Sequence, residues 1–365
     1  MKNRNVIPFV AFFLLPFVSC SSEENLLEEK IIEVDTQTND TTITGKSDTV
    51  IIEKKDTLIT EKNDTVITGR NDTVITVKYD TIISNTSQKD TFLCSYEKYM
   101  GITPKYGTGQ GAACYGKYFI QGYGNNTAVG IYDLENKYVL CKLDILTPTP
   151  SNKIHANTVC FGNQRLSPDD YFPLLYICSG YTQKVNGLVC SFIYVYRICK
   201  FNNSDGSEGF NIEQVQTITL QGFGSWTEGI PDNDHNQLWI KYQNNKDFHY
   251  ASYKMPLLSE GDITIKKEEA VTDFSIGVQP FTSSNQGHLY HNNKILLVSG
   301  TSPDKEKLAY IEINTITQTR ELVIDLADLG LTDEPENVFY FKDQLMIGYR
   351  GSIYKFNVRK TSGGL

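Results

Sequence analysis

The chain has 365 residues, with 43 acidic and 34 basic side chains and a formal net charge of −9 at pH 7. Charges of both signs are spread along its length without a basic stripe. Proteins that bind nucleic acid carry a clustered basic footprint, so the composition argues against that class. The length allows one large domain or two ordinary ones.

The first residues have the pattern of an export signal. Met1 to Asn5 carries positive charge, an apolar run of 13 residues follows from Val6 to Val18, and Ser19 precedes Cys20. A helix needs about 20 apolar residues to cross a bilayer, so the run is too short for an anchor. Residues 1–19 are therefore predicted to be a cleaved signal peptide, and residues 20–39 a linker.

The residues around the cleavage site resemble those of known lipoproteins. Phe17-Val18-Ser19-Cys20 resembles the lipobox of bacterial lipoproteins, with the Phe that is familiar in Bacteroidetes instead of Leu. The resemblance implies acylation of Cys20 and an essentially permanent hold on the outer membrane. Glu23 and Glu24 resemble the surface-export signal of the same lipoproteins, although a solvated linker would look the same. Ordinary secretion with a free cysteine is the alternative.

An eight-residue unit then repeats six times between Asp40 and Ser87, with Asp-Thr pairs at 40, 48, 56, 64, 72 and 80. The apolar pair at its third and fourth positions is split between the two faces of an extended chain. Such a segment carries too little apolar surface to offset its ordering entropy alone. Residues 40–87 are therefore predicted to be a stalk. A disordered tether, stacked short hairpins or a β-solenoid, and an extended glycosylated rod remain as its possible forms.

Each unit also carries a possible modification motif. Asp-Thr followed by Thr, Val, Leu or Ile resembles the O-glycosylation signal of Bacteroidetes, which implies sugars on Thr41, Thr49, Thr57, Thr65, Thr73 and Thr81. A bulky sugar on every unit would keep these β-prone segments from pairing with other chains. It would also favour an extended rod, about 160 Å for 48 residues, over a flexible coil of about 40 Å.

Residues 90–358 have the pattern of an all-β domain. Short runs rich in Tyr, Ile and Val, such as Ile193 to Arg197 and Lys294 to Val298, alternate with Gly, Asn and Asp. The one fair helical candidate, Ile324 to Gly330, is barely two turns long. The 22 tyrosines are predicted to pack inside the domain rather than to form a glycan platform.

A longer period is also present. Units of similar plan start near residues 110, 155, 226, 286 and 334, each a strand, a turn and three further strands. Five such units predict a five-bladed β-propeller, with Thr91 to Tyr99 completing the last blade. A two-sheet sandwich is the alternative, but its strands would not recur with the same opening residues. Residues 359–365 are predicted to be a disordered tail.

Short motifs within these units resemble a known group of propellers. Gln286-Gly-His-Leu-Tyr290, Asn293-Lys294 and Glu334-Pro-Glu336 resemble motifs of the TagC-like propellers of phage receptor-binding and teichoic-acid-associated proteins. The resemblance covers about residues 110 to 357 and implies a shared fold, not a shared ligand. Asn337 stands where that family tends to have Gly.

The cysteines predict neither a disulfide framework nor a metal site. Seven follow Cys20, so complete internal pairing is impossible, and no two have Cys-x2-Cys spacing. Cys114, Cys160, Cys178 and Cys190 lie in strand-like runs and are predicted to be small core residues. No cofactor is predicted.

A propeller brings the residues that open its units to one end of the central channel, the mouth. Carboxylates and amides there can bind hydroxyl groups, and an indole can stack on a sugar face. The candidate ligand-binding residues are Gln110, His155, Asn157, Trp226, Glu228, Gln286, His288, Glu334 and Glu336.

Other uses of the same residues remain open. Glu228 and Glu336 could act as acid and base in glycoside cleavage if their separation allows it. The polar residues could also simply close the channel by hydrogen bonding to backbone groups. A metal between His155 and His288 has no supporting local spacing. Asp232 to Asn236 has some features of a calcium loop but lacks the Gly and distal Glu of an EF-hand, and is better explained as a turn.

Together these patterns predict a surface-exposed outer-membrane lipoprotein whose propeller binds a glycan or a cell-envelope partner at the mouth. A carbohydrate-active enzyme and a protein-interaction scaffold are the alternatives.

Overall fold

The computed structural model describes residues 48–54, 57–63, 79–84, 91–102, 107–124, 127–145, 154–224, 226–245, 247–277, 285–301 and 308–361. Within these ranges there are 25 strands, two short 3-10 turns and no α-helix. The domain is therefore all-β, as the two-residue periodicity predicts.

Three strands precede the globular part: β1 (Asp48–Lys54), β2 (Thr57–Asn63) and β3 (Tyr79–Ser84). Strand β4 (Thr91–Gly101) follows.

Blade 1 contains β5 (Gly109–Tyr115), β6 (Tyr118–Tyr123), β7 (Ala128–Asp133) and β8 (Tyr138–Asp144). Blade 2 contains β9 (Val159–Phe161), β10 (Leu175–Cys178), β11 (Gln183–Val185), β12 (Leu188–Asn202) and β13 (Glu208–Gln221). Blade 3 contains β14 (Glu228–Asp232), β15 (Gln237–Asn244) and β16 (Asp247–Lys254). Next come β17 (Ile263–Lys266), which joins blade 2 in parallel to β13, and β18 (Thr272–Gly277), the outer strand of blade 3. Blade 4 contains β19 (Asn285–His291), β20 (Lys294–Ser299), β21 (Ala309–Asn314) and β22 (Thr319–Asp325). Blade 5 contains β23 (Pro335–Phe341), β24 (Gln344–Tyr349) and β25 (Ser352–Thr361), together with β4.

The five sheets form a closed ring. Their inner strands β5, β9, β14, β19 and β23 contact one another in sequence, and β23 returns to contact β5. Five hydrophobic clusters lie between neighbouring blades, one at each interface. A two-sheet sandwich would have a single inter-sheet core. The prediction of a five-bladed propeller is therefore confirmed.

Strand β12 shows why the apolar runs are nearly continuous. Ile193 and Val195 pack toward blade 3, whereas Phe192, Tyr194 and Tyr196 pack toward blade 1. Both faces of the strand are buried, so neither needs polar residues. Nine tyrosines are among the largest fully buried side chains, which confirms their predicted role in packing.

The last blade is closed by the strand that enters the domain. Strand β4 pairs antiparallel with β25, with Cys94 opposite Val358, as predicted for Thr91 to Tyr99. The pairing continues to Thr361, which lies opposite Thr91. The predicted tail is therefore wrong for residues 359–361, because β4 supplies them with ladder partners. Residues 362–365 lie outside the described residues.

The sheet of blade 5 continues into the repeat segment. Strand β3 pairs with β4, β2 with β3, and β1 with β2, which gives seven strands in all. Over these residues the chain has the hairpin form, one of the three predicted for the stalk. Thr49, Thr57 and Thr81 lie on β1, β2 and β3. The other predicted sugar sites (Thr41, Thr65 and Thr73), the signal peptide, Cys20 and the linker lie outside the described residues.

The helical candidate at Ile324 to Gly330 does not form a helix. Ile324 and Asp325 end strand β22, where they lie opposite Tyr310 and Ala309. Because their backbone belongs to the sheet, a helix cannot begin there, and the residues that follow form turns ending at Gly330 with φ +78°.

The seven cysteines from Cys94 to Cys199 are free thiols. Cys160, Cys178 and Cys190 are buried as predicted, whereas Cys114 is only partly buried. In the part of the chain that the structure describes, no helix is long and apolar enough to cross a membrane.

Candidate functional site

The structure places the nine predicted site residues at the mouth, on the inner strands or just before them. Their exposure divides them sharply. Trp226 is 44% exposed and His155 is half-buried, whereas the other seven side chains are buried: Gln110, Asn157, Glu228, Gln286, His288, Glu334 and Glu336.

On one side of the mouth the polar side chains bond to one another, although Glu336 Oε2 has no hydrogen-bond partner among the described residues. The Gln286 amide donates to Glu334 Oε1 over 2.7 Å and to the Gly300 carbonyl over 3.3 Å. The Arg350 guanidinium pairs with Glu334 and, over 3.0 Å, with Glu336 Oε1. Burial, and then the charge of Glu334, raise the pKa of Glu336 to about 8 despite Arg350. We call Gln286, Glu334, Glu336 and Arg350 the closed half.

Two amides connect blades across the ends of the inner strands. Asn157 Nδ2 donates to the Asn285 carbonyl over 3.3 Å, and Asn337 Nδ2 donates to the Gln110 carbonyl over 2.9 Å. The Gly111 N–H donates to the Ala156 carbonyl over 2.9 Å, which holds blade 1 against the start of blade 2. These contacts agree with the alternative in which polar residues close the channel.

A buried charge pair lies on the first two strands of blade 3. Glu228 lies opposite Lys241 in the β14–β15 ladder, and both are almost fully buried. Burial raises the pKa of Glu228, while the charge of Lys241 lowers it in part. Burial likewise lowers the pKa of Lys241, against the effect of Glu228. Neither oxygen of Glu228 has a hydrogen bond of normal geometry to any residue that the structure describes, although Thr158 and Cys178 are near enough to lower its pKa.

His288 is a neutral packing residue in this region. Its Nδ1 shares a hydrogen bond of 3.1 Å with the Thr158 hydroxyl, and its Nε2 lies 3.5 Å from the Tyr250 hydroxyl. Burial, with the charge of Lys241, lowers its pKa to about 3, so the ring is uncharged at neutral pH. His155 bonds instead to Asn157. Among the described residues no group of three His, Cys, Asp or Glu side chains could hold a metal ion.

The other side of the mouth is aromatic. The centroid of the Trp226 ring lies 5.2 Å from that of the His155 ring, in a T-shaped arrangement, and 6.0 Å from that of the Tyr181 ring. His155 and Tyr181 are 5.9 Å apart, so the three rings contact one another. Burial lowers the pKa of His155, against the Asn157 hydrogen bond, which favours the neutral ring. We call His155, Tyr181 and Trp226 the aromatic half.

Gly180 allows this arrangement. Its backbone has φ +68°, and a Cβ there would lie 2.8 Å from the Cβ of His155. A side chain at this position would therefore push His155 away from the other two rings.

Sequence reasoning missed Tyr181, Lys241 and Arg350. The second strand of each blade runs antiparallel to the first and so ends at the mouth, which places Tyr181 after β10 and Arg350 after β24. Lys241 could have been found by pairing the residues before and after the turn between β14 and β15, outward from that turn. That turn sets Asp232 opposite Gln237 and hence Glu228 opposite Lys241.

The candidate calcium loop is this same turn. Asp232 Oδ1 accepts the backbone N–H groups of Asp234 and His235 over 3.1 and 3.0 Å. Its other oxygen accepts the Trp239 indole N–H over 3.3 Å. Asp232 thus folds the hairpin, as predicted.

No protein-family model and no curated protein matches the chain. Among solved structures it is similar to the glutaminyl cyclase of Myxococcus xanthus, with 11% identity and a TM-score of 0.43 over 72% of this chain and 95% of that one. It is also similar to hydrazine synthase of Kuenenia stuttgartiensis, with 11% identity and a TM-score of 0.35 over 74% and 70% of the two chains. For apo AztD of Citrobacter koseri the identity is 9% and the TM-score 0.30, over 86% and 76%. Similarities this low say nothing about the site.

Proposed function

We propose that this protein is a surface-exposed outer-membrane lipoprotein of the Bacteroidetes type, whose propeller binds a glycan of a cell envelope at the aromatic half of the mouth. The observation that carries the binding proposal is the exposed indole of Trp226, framed by His155 and Tyr181. An indole offers an apolar face for the C–H side of a sugar ring, and the neighbouring rings carry polar edges for its hydroxyls. The likeness to TagC-like propellers at Gln286 and Glu334 is compatible with this function.

Binding is favoured over glycoside cleavage by the burial of the carboxyl groups. An acid and a base must contact the scissile bond, yet Glu228 and Glu336 are both 0% exposed. The same burial suits a role in holding the channel closed. A protein-interaction scaffold remains an outcome of the test below.

The binding test uses the full mature chain with Cys20→Ala on a carbohydrate array. We expect saturable binding of a glycan that falls about tenfold in Trp226→Ala, equivalent to about 1.4 kcal/mol. Tyr138→Ala is the matched control, because Tyr138 is 49% exposed but lies on the outer strand β8 of blade 1. Equal losses in the two variants would contradict the site. Cleavage of an arrayed glycan would indicate an enzyme. If the protein bound no glycan on the array, the scaffold alternative would be favoured.

The anchor is tested separately. Cys20 follows a cleavable signal, and acylation there would hold the chain on the membrane. The wild-type protein should fractionate with outer membranes and be cut by protease added to whole cells, whereas Cys20→Ala should be released. A Cys20→Ala variant that stays with the membrane would refute the anchor.

The sugars on the stalk form a third element of the proposal, at Thr41, Thr49, Thr57, Thr65, Thr73 and Thr81. We expect the intact mass of the native protein to exceed that of peptide plus lipid, and the excess to drop in steps as these threonines are changed to Val. A mature mass equal to peptide plus lipid would end the idea.

A further inference from the structure

The backbone of Trp226 is unusual. Its φ of +55° lies in the left-handed region, which is a genuine outlier for a bulky residue. Residues persist there only where the surroundings hold them, and they are frequent at functional sites. The rings of His155 and Tyr181 contact the indole. These contacts fix the side chain but not the peptide group.

The peptide group of Trp226 is held by Lys241. The Lys241 ammonium donates to the Trp226 carbonyl over 3.1 Å, and it lies 5.2 Å from the centre of the Phe248 ring. Lys241 is only 2% exposed, because its strand β15 belongs to blade 3, which lies between blades 2 and 4. Its neighbours Leu238 and Ile240 on that strand are fully buried and apolar. An apolar side chain could fill this position, so the choice of a costly buried ammonium indicates a specific task.

Glu228 compensates the charge of Lys241. It lies directly opposite in the ladder, yet its carboxylate makes no hydrogen bond of normal geometry with Lys241 or any other described residue. The two residues thus have separable roles. Glu228 balances the charge of Lys241, whereas the Lys241 ammonium bonds to the Trp226 carbonyl.

We propose that Lys241 is a positioning residue, whose ammonium holds the carbonyl of Trp226 and thereby the left-handed backbone that presents the indole at the mouth. The consequence for ligand binding rests on the proposed glycan site. The positioning itself does not, so the test is made on Trp226 directly.

The chain provides a spectroscopic probe for this test. It has two tryptophans, and the other, Trp239, is 4% exposed. The difference in emission between a protein and the same protein carrying Trp226→Phe therefore reports Trp226. We expect acrylamide to quench this emission at least twofold faster in Lys241→Met than in wild type, with lower fluorescence anisotropy.

The charge pair supplies the controls. Lys241→Met leaves Glu228 buried without its cation, which by itself lowers stability. The deciding variant is therefore Glu228→Gln with Lys241→Met, in which both charges are absent. It should keep the wild-type far-UV circular dichroism and still show the faster quenching. Glu228→Gln alone keeps the donor to Trp226 and should quench like wild type.

The outcomes separate the two proposals. Wild-type quenching of Trp226 in the folded double variant would overturn the positioning role, as would equally fast quenching in Glu228→Gln. Faster quenching in the double variant supports that role even if the array finds no glycan, in which case the proposed function fails alone. If the array does find one, its affinity should fall severalfold in the double variant.

Discussion

The two halves of the mouth begin from equivalent positions on the propeller but are built differently. In the closed half, Arg350, Glu334, Glu336 and Gln286 bond to one another. In the aromatic half, Trp226 is left 44% exposed beside His155 and Tyr181. A place at the start of an inner strand therefore does not make a residue a ligand contact. What distinguishes the candidate binding residues is that their side chains are aromatic rings that remain partly or largely exposed.

The difference follows from what burial costs. A buried carboxylate needs a cation and hydrogen-bond donors, so Glu334, which contacts Arg350 and Gln286, serves to close the channel. An indole has one donor and a large apolar face, so partial exposure leaves no charge unpaired. The channel is thus closed by charged and amide side chains, whereas the exposed surface of the mouth is formed by aromatic rings.

The largest effect is expected from breaking the closed half. Arg350→Met removes the cation shared by Glu334 and Glu336 and should lower the free energy of unfolding by about 2 kcal/mol, less than for a fully buried pair because Arg350 is partly exposed. Denaturant titration measures the loss, and glycan affinity should not change. Lys142→Met removes the exposed pair with Asp144 and should cost under about 0.5 kcal/mol. Equal losses would mean that the closed half has no special role.

A pH profile tests the same half. The pKa of Glu336 is raised to about 8 in the folded protein from a usual value of 4.5, so the folded state holds a proton that the unfolded state releases between these values. Its contribution to stability is complete below pH 4.5 and is lost as the pH rises to about 8. Glu336→Gln cannot titrate, so its melting temperature relative to wild type should rise by a few degrees over this range. A constant difference between the two proteins would contradict the assignment.

The fold could be predicted from the sequence because its signals are local and repeated. Runs such as Ile193 to Arg197 alternate between two blade interfaces, and the units that begin near 110 and 286 open with the same residues. Closure by β4 follows because the fifth unit lacks a fourth strand of its own. The octads carry no such information, since nearly identical units could pair in several registers.

The site could be predicted only in part. Topology brings Glu228, Gln286 and Glu336 to one mouth, but it does not say which of them find partners. That depends on Arg350 and Lys241, whose reach is set by tertiary packing. The left-handed backbone of Trp226 has no sequence signal, since the residue is neither Gly nor Asn.

A smaller effect is expected at the amides that join blades. Asn337→Ala removes the hydrogen bond to the Gln110 carbonyl and leaves that carbonyl buried, which should cost about 1 kcal/mol in unfolding free energy. The exposed Asn357 is the matched control, and Asn357→Ala should cost under about 0.5 kcal/mol. If the two variants unfold at the same denaturant concentration, Asn337 does not connect blades 5 and 1 to any measurable degree.

The smallest effect on stability is expected in the aromatic half, where the effect on binding should be clear. Tyr181 contacts Trp226 and His155 through its ring, so Tyr181→Ala removes one wall of the platform while the strands beneath remain paired. We expect a change of under about 0.5 kcal/mol in unfolding free energy but a severalfold loss of glycan affinity. Tyr181→Phe keeps the ring and should therefore retain most of the wild-type affinity. Tyr171, 43% exposed between β9 and β10 at the opposite end of the channel, is the control. If Tyr171→Ala weakened binding as much, the ligand would not be confined to the mouth, and the contrast between its two halves would lose its functional meaning.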